Sequence, residues 1–181
     1  MRVLSIHGYG AKAMNTASTA LLKNGYEPIS PQLDYSEQPP SEILRLLMDT
    51  YEQEQCSAVI GSSMGGFFAS QVTALKGCKA VLINPCMTPF VVMPRLGTKH
   101  RIFVSEYLNL MSNIARLKPE NVHVILGGRD DVIDTHDFTK FYIGEENCIT
   151  IPEGGHAGST LPLESIISQY GETFFGAETL N

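Results

Sequence analysis

Residues 58–70 read AVIGSSMGGFFAS, and this stretch decides the fold that we expect. A short apolar run ends in Gly-Ser-Ser-Met-Gly, and a segment rich in small and aromatic residues follows it. The pattern Gly-x-Ser-x-Gly, centred on Ser63, is typical of a sharp turn between a buried strand and a helix. Glycines suit this turn because a Cβ would obstruct the close passage of the strand and the helix. The stretch therefore predicts a strand, an exposed serine and a helix, in that order.

Similar apolar runs recur along the chain and alternate with helical patterns. Six segments, most of them apolar, are predicted strands, over residues 3–6, 27–30, 57–60, 80–83, 122–126 and 148–151. Strands that are mostly apolar and separated by helices indicate a parallel sheet covered on both faces. We therefore predict an α/β fold with a doubly wound, mostly parallel six-stranded sheet and helices on both faces. Residues 1–181 would form one domain, in which residues 84–119 are a short lid-like insert.

The composition argues against several kinds of partner. The 181 residues are 43% hydrophobic, which is enough for a single core, and carry a net charge of -6. No long basic run provides a surface for nucleic acid, and no apolar run is long enough to span a bilayer. We therefore expect neither nucleic acid nor a membrane as a partner.

The cysteines are scattered and have no metal-ligand spacing. They are Cys56, Cys78, Cys86 and Cys148. The chain also lacks the apolar core of a signal peptide. These features predict reduced thiols, a cytoplasmic location and no metal site.

A nucleophilic serine needs a base, and a glycine-rich turn offers one. Residues 153–158 read EGGHAG and follow the last predicted strand. The alternative for His156 is an ordinary surface histidine in a turn. With Ser63 upstream, we favour His156 as the base.

A carboxylate should orient that histidine, and residues 127–134 supply candidates after the fifth predicted strand. We predict that Asp130 holds the imidazole, with Asp131 as the alternative, while Asp134 fits the N-cap of the next helix. The resulting chain order of Ser, Asp and His is the one expected for this strand–turn–helix arrangement.

The turn after the first strand reads HGYG, residues 7–10. We expect the backbone N–H groups of Tyr9 and Met64 to form an oxyanion hole. A plain glycine turn is the alternative. A dinucleotide fingerprint is disfavoured because Ala13 stands where its third glycine would be. No dinucleotide cofactor is therefore expected.

The remaining histidines have simpler interpretations. His100 and His136 lie in polar surroundings and are expected to be exposed. His123 interrupts a buried strand and is expected to be structural.

These motifs together resemble a known family, the small single-domain α/β-hydrolase-fold esterases of the YqiA type, also called the UPF0227 group. The resemblance rests on motifs spread over nearly the whole chain, namely residues 7–8, 19–23, 31–33, 61–69, 81–85, 128–134 and 153–157. It implies that Ser63, Asp130 and His156 are the nucleophile, acid and base, and that residues 8–9 form the oxyanion turn. It also implies esterase activity on short-chain acyl esters without a cofactor.

We therefore expect a serine esterase that hydrolyses carboxylic esters, or thioesters, of small molecules through an acyl-enzyme. Two alternatives stay open at this point. The same side chains could catalyse acyl transfer, or the fold could serve as a non-catalytic binding module.

Overall fold

A parallel sheet organises the molecule. The computed structural model describes residues 1–176, apart from the side chains of residues 98–100. Its six strands follow the order β2-β1-β3-β4-β5-β6, and all five pairings are parallel. They are β1 (Arg2–Ile6), β2 (Glu27–Ile29), β3 (Ala58–Ser62), β4 (Lys79–Ile83), β5 (Val122–Gly127) and β6 (Cys148–Ile151). The predicted fold class is confirmed.

Helices cover both faces of this sheet. On one face, α1 (Thr16–Lys23) and α7 (Leu163–Phe175) pack on a cluster that includes Val3, Ile60 and Val81. The other face carries α2 (Pro40–Gln53) and α3 (Met64–Lys76) on a cluster that includes Leu4, Val59 and Leu82. Adjacent residues of one strand thus enter opposite cores, as the two-residue period of a strand requires.

The segment between β4 and β5 occupies the residues where the sequence predicts a lid-like insert. It contains α4 (Pro89–Val92), α5 (Val104–Met111) and short 3-10 turns. Tyr107 of α5 is buried, and its ring meets those of Phe67 and Phe68 at centroid distances of 5.8 and 6.5 Å. The segment is therefore anchored to α3 by an aromatic cluster.

The helix α6 (His136–Ile143) connects β5 to β6. Its N-cap is Thr135, and Asp134 instead pairs with Arg95 at 3.0 Å. The prediction that Asp134 caps this helix is therefore wrong, because an ion pair with the insert holds its carboxylate.

No helix among residues 1–176 is both long enough and apolar enough to cross a bilayer.

Candidate active site

Ser63 lies at the sharp turn that the sequence predicts. It separates β3 from α3 and adopts φ 54° and ψ -117°, a left-handed φ that side chains disfavour. Three backbone hydrogen bonds of 2.9 Å hold it there: its N–H donates to Ile83, and its carbonyl accepts from Gly66 and Cys86. The surrounding backbone thus maintains a strained turn at the carboxyl edge of the sheet.

The glycines of this turn permit very close packing. A Cβ on Gly65 would overlap the backbone carbonyls of Ile6 and His7, and one on Gly61 would overlap the backbone of Gly65. Strand β1, strand β3 and the start of α3 therefore meet backbone to backbone.

We expect the substitution Gly65→Ala to destabilise the fold by roughly 3 kcal/mol or more, because the added methyl meets main-chain atoms that cannot move independently. Urea unfolding followed by circular dichroism measures this. The matched control is Gly155→Ala, where the nearest atom to an added Cβ is 3.6 Å away. We expect that variant to stay within about 1 kcal/mol of the wild type. Equal stability of the two variants would contradict the close-packing argument.

The structure brings together the three predicted side chains. His156 Nε2 lies 3.1 Å from Ser63 Oγ, and His156 Nδ1 lies 2.9 Å from Asp130 Oδ2. A carboxylate can only accept, so His156 carries its proton on Nδ1 and presents the Nε2 lone pair to the serine. This is the tautomer that can take a proton from Ser63 Oγ.

Asn84 ties together the two loops that carry Asp130 and His156. Its Nδ2 donates to the carbonyls of Gly155 and His156 at 2.9 and 3.0 Å, and its Oδ1 accepts from the Gly127 N–H at 2.7 Å. Asn84 itself has φ 42°, a conformation that asparagine tolerates better than most residues. The side chain therefore joins the end of β5 to the turn after β6.

The Asp130 side chain is fully buried and accepts four hydrogen bonds. Oδ1 accepts from the N–H groups of Val132 and Ile133, and Oδ2 accepts from His136 and His156. Burial raises the pKa of Asp130, but these four bonds together lower it more, so its pKa lies well below its usual range. Asp130 is therefore a carboxylate at neutral pH. Asp131, the alternative orienter, is exposed.

His136 was expected to be exposed, and this prediction is wrong. Its side chain is only 16% exposed, and its Nε2 lies 3.0 Å from Asp130 Oδ2. The loop between Asp130 and α6 folds back, so the first residue of the helix faces the carboxylate.

The other two histidines with simple interpretations lie elsewhere. His123 lies beside Phe174, at a ring distance of 5.0 Å, and the side chain of His100 lies outside the described residues.

The turn after β1 passes directly beside Ser63. A Cβ on Gly8 would lie 3.2 Å from the Ser63 Cβ. Met64 is the first residue of α3, so its N–H has no partner within the helix. Met64 and Tyr9, the two predicted N–H donors, thus lie on the two backbone segments that flank the serine.

His7 controls the orientation of this turn, a role that the sequence did not indicate. His7 is buried, and its Nε2 accepts from the Leu33 N–H at 2.9 Å. Its proton is therefore on Nδ1, which donates to the Gly8 carbonyl at 2.7 Å. In a trans peptide the Gly8 carbonyl and the Tyr9 N–H point in opposite directions, so His7 sets the direction of the Tyr9 N–H.

A cavity of about 280 Å³ opens at Ser63. Loops after β1, β3 and β6 form its walls, and Asn15, Thr16 and Ser159 give it polar groups. The lining residues of this cavity include none from the segment between β4 and β5. Within the described residues, no group of three His, Cys, Asp or Glu side chains could hold a metal ion.

The chain is similar in structure to several solved α/β-hydrolase-fold proteins. Est1E from Butyrivibrio proteoclasticus is 15% identical, with a TM-score of 0.65 over 93% of this chain and 87% of that one. An esterase from Pyrococcus furiosus is 17% identical, with a TM-score of 0.62 over 97% and 82% of the two chains. An alpha/beta hydrolase enzyme from the metagenome of lagoon sediments at Mar Chica, Morocco, is 16% identical, with a TM-score of 0.63 over 96% and 90%. At these identities the similarity establishes the fold.

The resemblance noted in the sequence is confirmed by a family model. The model describes an uncharacterised protein family, UPF0227, and it matches residues 2–157. The chain therefore belongs to the UPF0227 family.

Proposed function

We propose that the protein is a serine hydrolase that cleaves carboxylic esters, and the related thioesters, of short acyl chains. The observation that carries this proposal is the unbroken line of hydrogen bonds from Ser63 Oγ through His156 to the buried Asp130. Ser63, the proposed nucleophile, lies on a strained turn that the fold maintains. Backbone strain of this kind is concentrated at functional sites.

The proposed reaction proceeds in two steps. His156 Nε2 takes the proton of Ser63 as Oγ attacks the acyl carbonyl, and Asp130 stabilises the imidazolium that forms. The tetrahedral oxyanion accepts hydrogen bonds from the N–H groups of Tyr9 and Met64. His156 then protonates the leaving alcohol or thiol, which leaves an acyl-enzyme. Water activated by His156 releases the acid and restores Ser63.

The cavity supports a small acyl group as the substrate. Its volume of about 280 Å³ lies just below the usual range for sites that bind drug-sized ligands. A long alkyl chain would extend out of a cavity of this volume into solvent and would gain little from burial. We therefore propose acyl groups of a few carbon atoms. No step of the proposed reaction uses a cofactor.

A panel of p-nitrophenyl esters and acyl thioesters, from acetyl to decanoyl, tests this function. We expect kcat/KM to be highest for the short acyl groups and to fall roughly tenfold or more for the long ones. A preference for decanoyl esters would contradict the proposed substrate size. A folded protein that hydrolyses no member of the panel would contradict the function.

Two further measurements separate the alternatives. A fluorophosphonate probe that labels Ser63 indicates an activated nucleophile, whereas a folded protein that stays unlabelled indicates a binding module. Product analysis with an added alcohol or amine separates hydrolysis from acyl transfer.

We also propose a cytoplasmic location, where the four free thiols would stay reduced.

We further propose that residues 1–181 form one domain, with residues 84–119 as an insert within it. The aromatic contacts of Tyr107 with α3 support this, because they make the insert part of the main core.

A further inference from the structure

Two histidines share one oxygen of Asp130. His156 Nδ1 lies 2.9 Å and His136 Nε2 lies 3.0 Å from the same Oδ2. Hydrolysis through Ser63 requires only the first of these contacts. The second imidazole therefore needs its own explanation.

The surroundings of His136 indicate that the contact with Asp130 is its main polar interaction. Its Nδ1 is buried and makes no hydrogen bond with any described residue. An unpaired buried nitrogen costs free energy that an apolar side chain of the same shape would not. A purely structural position would thus be filled as well by a phenylalanine. The Nε2–H donated to Asp130 is what a phenylalanine could not supply.

We propose that His136 is a positioning residue that shares the negative charge of Asp130 with His156 and so sets the lower pH limit of hydrolysis. This inference rests on the proposed function, because it assigns His136 a role in tuning the base of that reaction. A carboxylate oxygen with two N–H donors attracts each of them less strongly than it would attract one alone. His136 thus weakens the pull of Asp130 on the His156 imidazolium, and His156 stays neutral, and able to act as a base, at lower pH.

Other charged groups surround the pair and stay unchanged when His136 is replaced. Asp134 and Arg95 form an ion pair beside the loop, and Asp137 and Lys140 lie on α6 with His136. Asp131 is exposed, and Arg129 pairs with Glu153, three residues before His156. The opposite charges of each ion pair offset one another, and Asp131, Asp137 and Lys140 are present in every variant. A difference between variants at His136 therefore reports the contact with Asp130 Oδ2.

Two matched variants test the proposal. His136→Phe keeps a planar ring but removes the N–H donor, whereas His136→Gln keeps an N–H donor near the position of Nε2. We expect the acidic limb of the kcat/KM profile to move up by about 0.5 to 1 pH unit in His136→Phe and to stay in place in His136→Gln. The plateau should fall less than about tenfold in either variant, because the other three bonds still hold Asp130. If His136→Phe does not fold, His136→Leu takes its place.

A second readout does not require turnover. NMR titration of isotope-labelled histidines measures directly the pH at which half of the His156 side chain is protonated, called its midpoint here. The His156 signal is assigned as the one that is absent in His156→Gln. We expect this midpoint to rise in His136→Phe by the same amount as the kinetic limb. An unchanged midpoint, or equal shifts in the Phe and Gln variants, would overturn the role of His136. If the wild type hydrolyses no ester, the proposed function fails, and the NMR midpoints still decide whether His136 acts on His156.

Discussion

Ser63→Ala should lower kcat for ester hydrolysis by roughly four to six orders of magnitude, as removal of the nucleophile does in other serine hydrolases. The substitution removes the hydroxyl that lies 3.1 Å from His156 Nε2. It leaves the backbone hydrogen bonds of Ser63 in place, so the fold should survive. Residual turnover would then reflect only the N–H donors and the binding of the substrate. Steady-state kinetics on the best ester of the panel measures the loss.

The neighbouring serine supplies the matched comparison for this variant. Ser62 ends β3 and, like Ser63, is one of the residues that line the cavity. Ser62→Ala should keep activity within about tenfold of the wild type and should still react with a fluorophosphonate. Ser63→Ala should not react at all. Ester hydrolysis that persists in a clean preparation of Ser63→Ala would refute Ser63 as the nucleophile.

Asp130→Asn should lower kcat by about three to four orders of magnitude, because neither orientation of the amide suits its surroundings. If the amide nitrogen faces the histidines, it meets two N–H donors, and His156 must move its proton to Nε2 to accept from it. His156 then cannot take the proton of Ser63. If the nitrogen faces the loop instead, it meets the N–H groups of Val132 and Ile133, which also only donate.

Asp131→Asn is the matched control, since it makes the same chemical change at the next residue. Its side chain is exposed, and we expect kcat within about twofold of the wild type. Kinetics and the rate of fluorophosphonate labelling should be measured on both variants, with thermal unfolding to check that each is folded. A larger loss in Asp131→Asn than in Asp130→Asn would transfer the orienting role to Asp131.

The fold could be predicted from the sequence because its signals are local. Most strands of the sheet are short apolar runs, and each strand is separated from the next in the chain by a segment with helical character. The convergence of Ser63, Asp130 and His156 could be anticipated for a related reason. The carboxyl ends of parallel strands lie at one edge, so residues that follow β3, β5 and β6 must come close together.

The features that could not be predicted depend on how loops fold back onto the rest of the molecule. No local sequence pattern indicates this. His136 opens a helix and looks exposed in sequence, but the preceding loop directs it at Asp130. The side chain of His7 looked like part of a glycine turn, and only its contacts with Leu33 and Gly8 reveal its role. The path of the segment between β4 and β5 is likewise a matter of tertiary packing, since its aromatic anchor lies on α3.

The amide of Asn84 has a consequence for motion as well as for position. Because one side chain holds both the end of β5 and the turn after β6, the loops that carry Asp130 and His156 should fluctuate as one body. The N–H and the carbonyl of Ser63 also bond to Ile83 and Cys86, on either side of Asn84, so the same segment holds the serine. The nucleophile, the base and the acid should therefore keep their mutual distances when this edge of the sheet moves, and the substrate meets them already aligned.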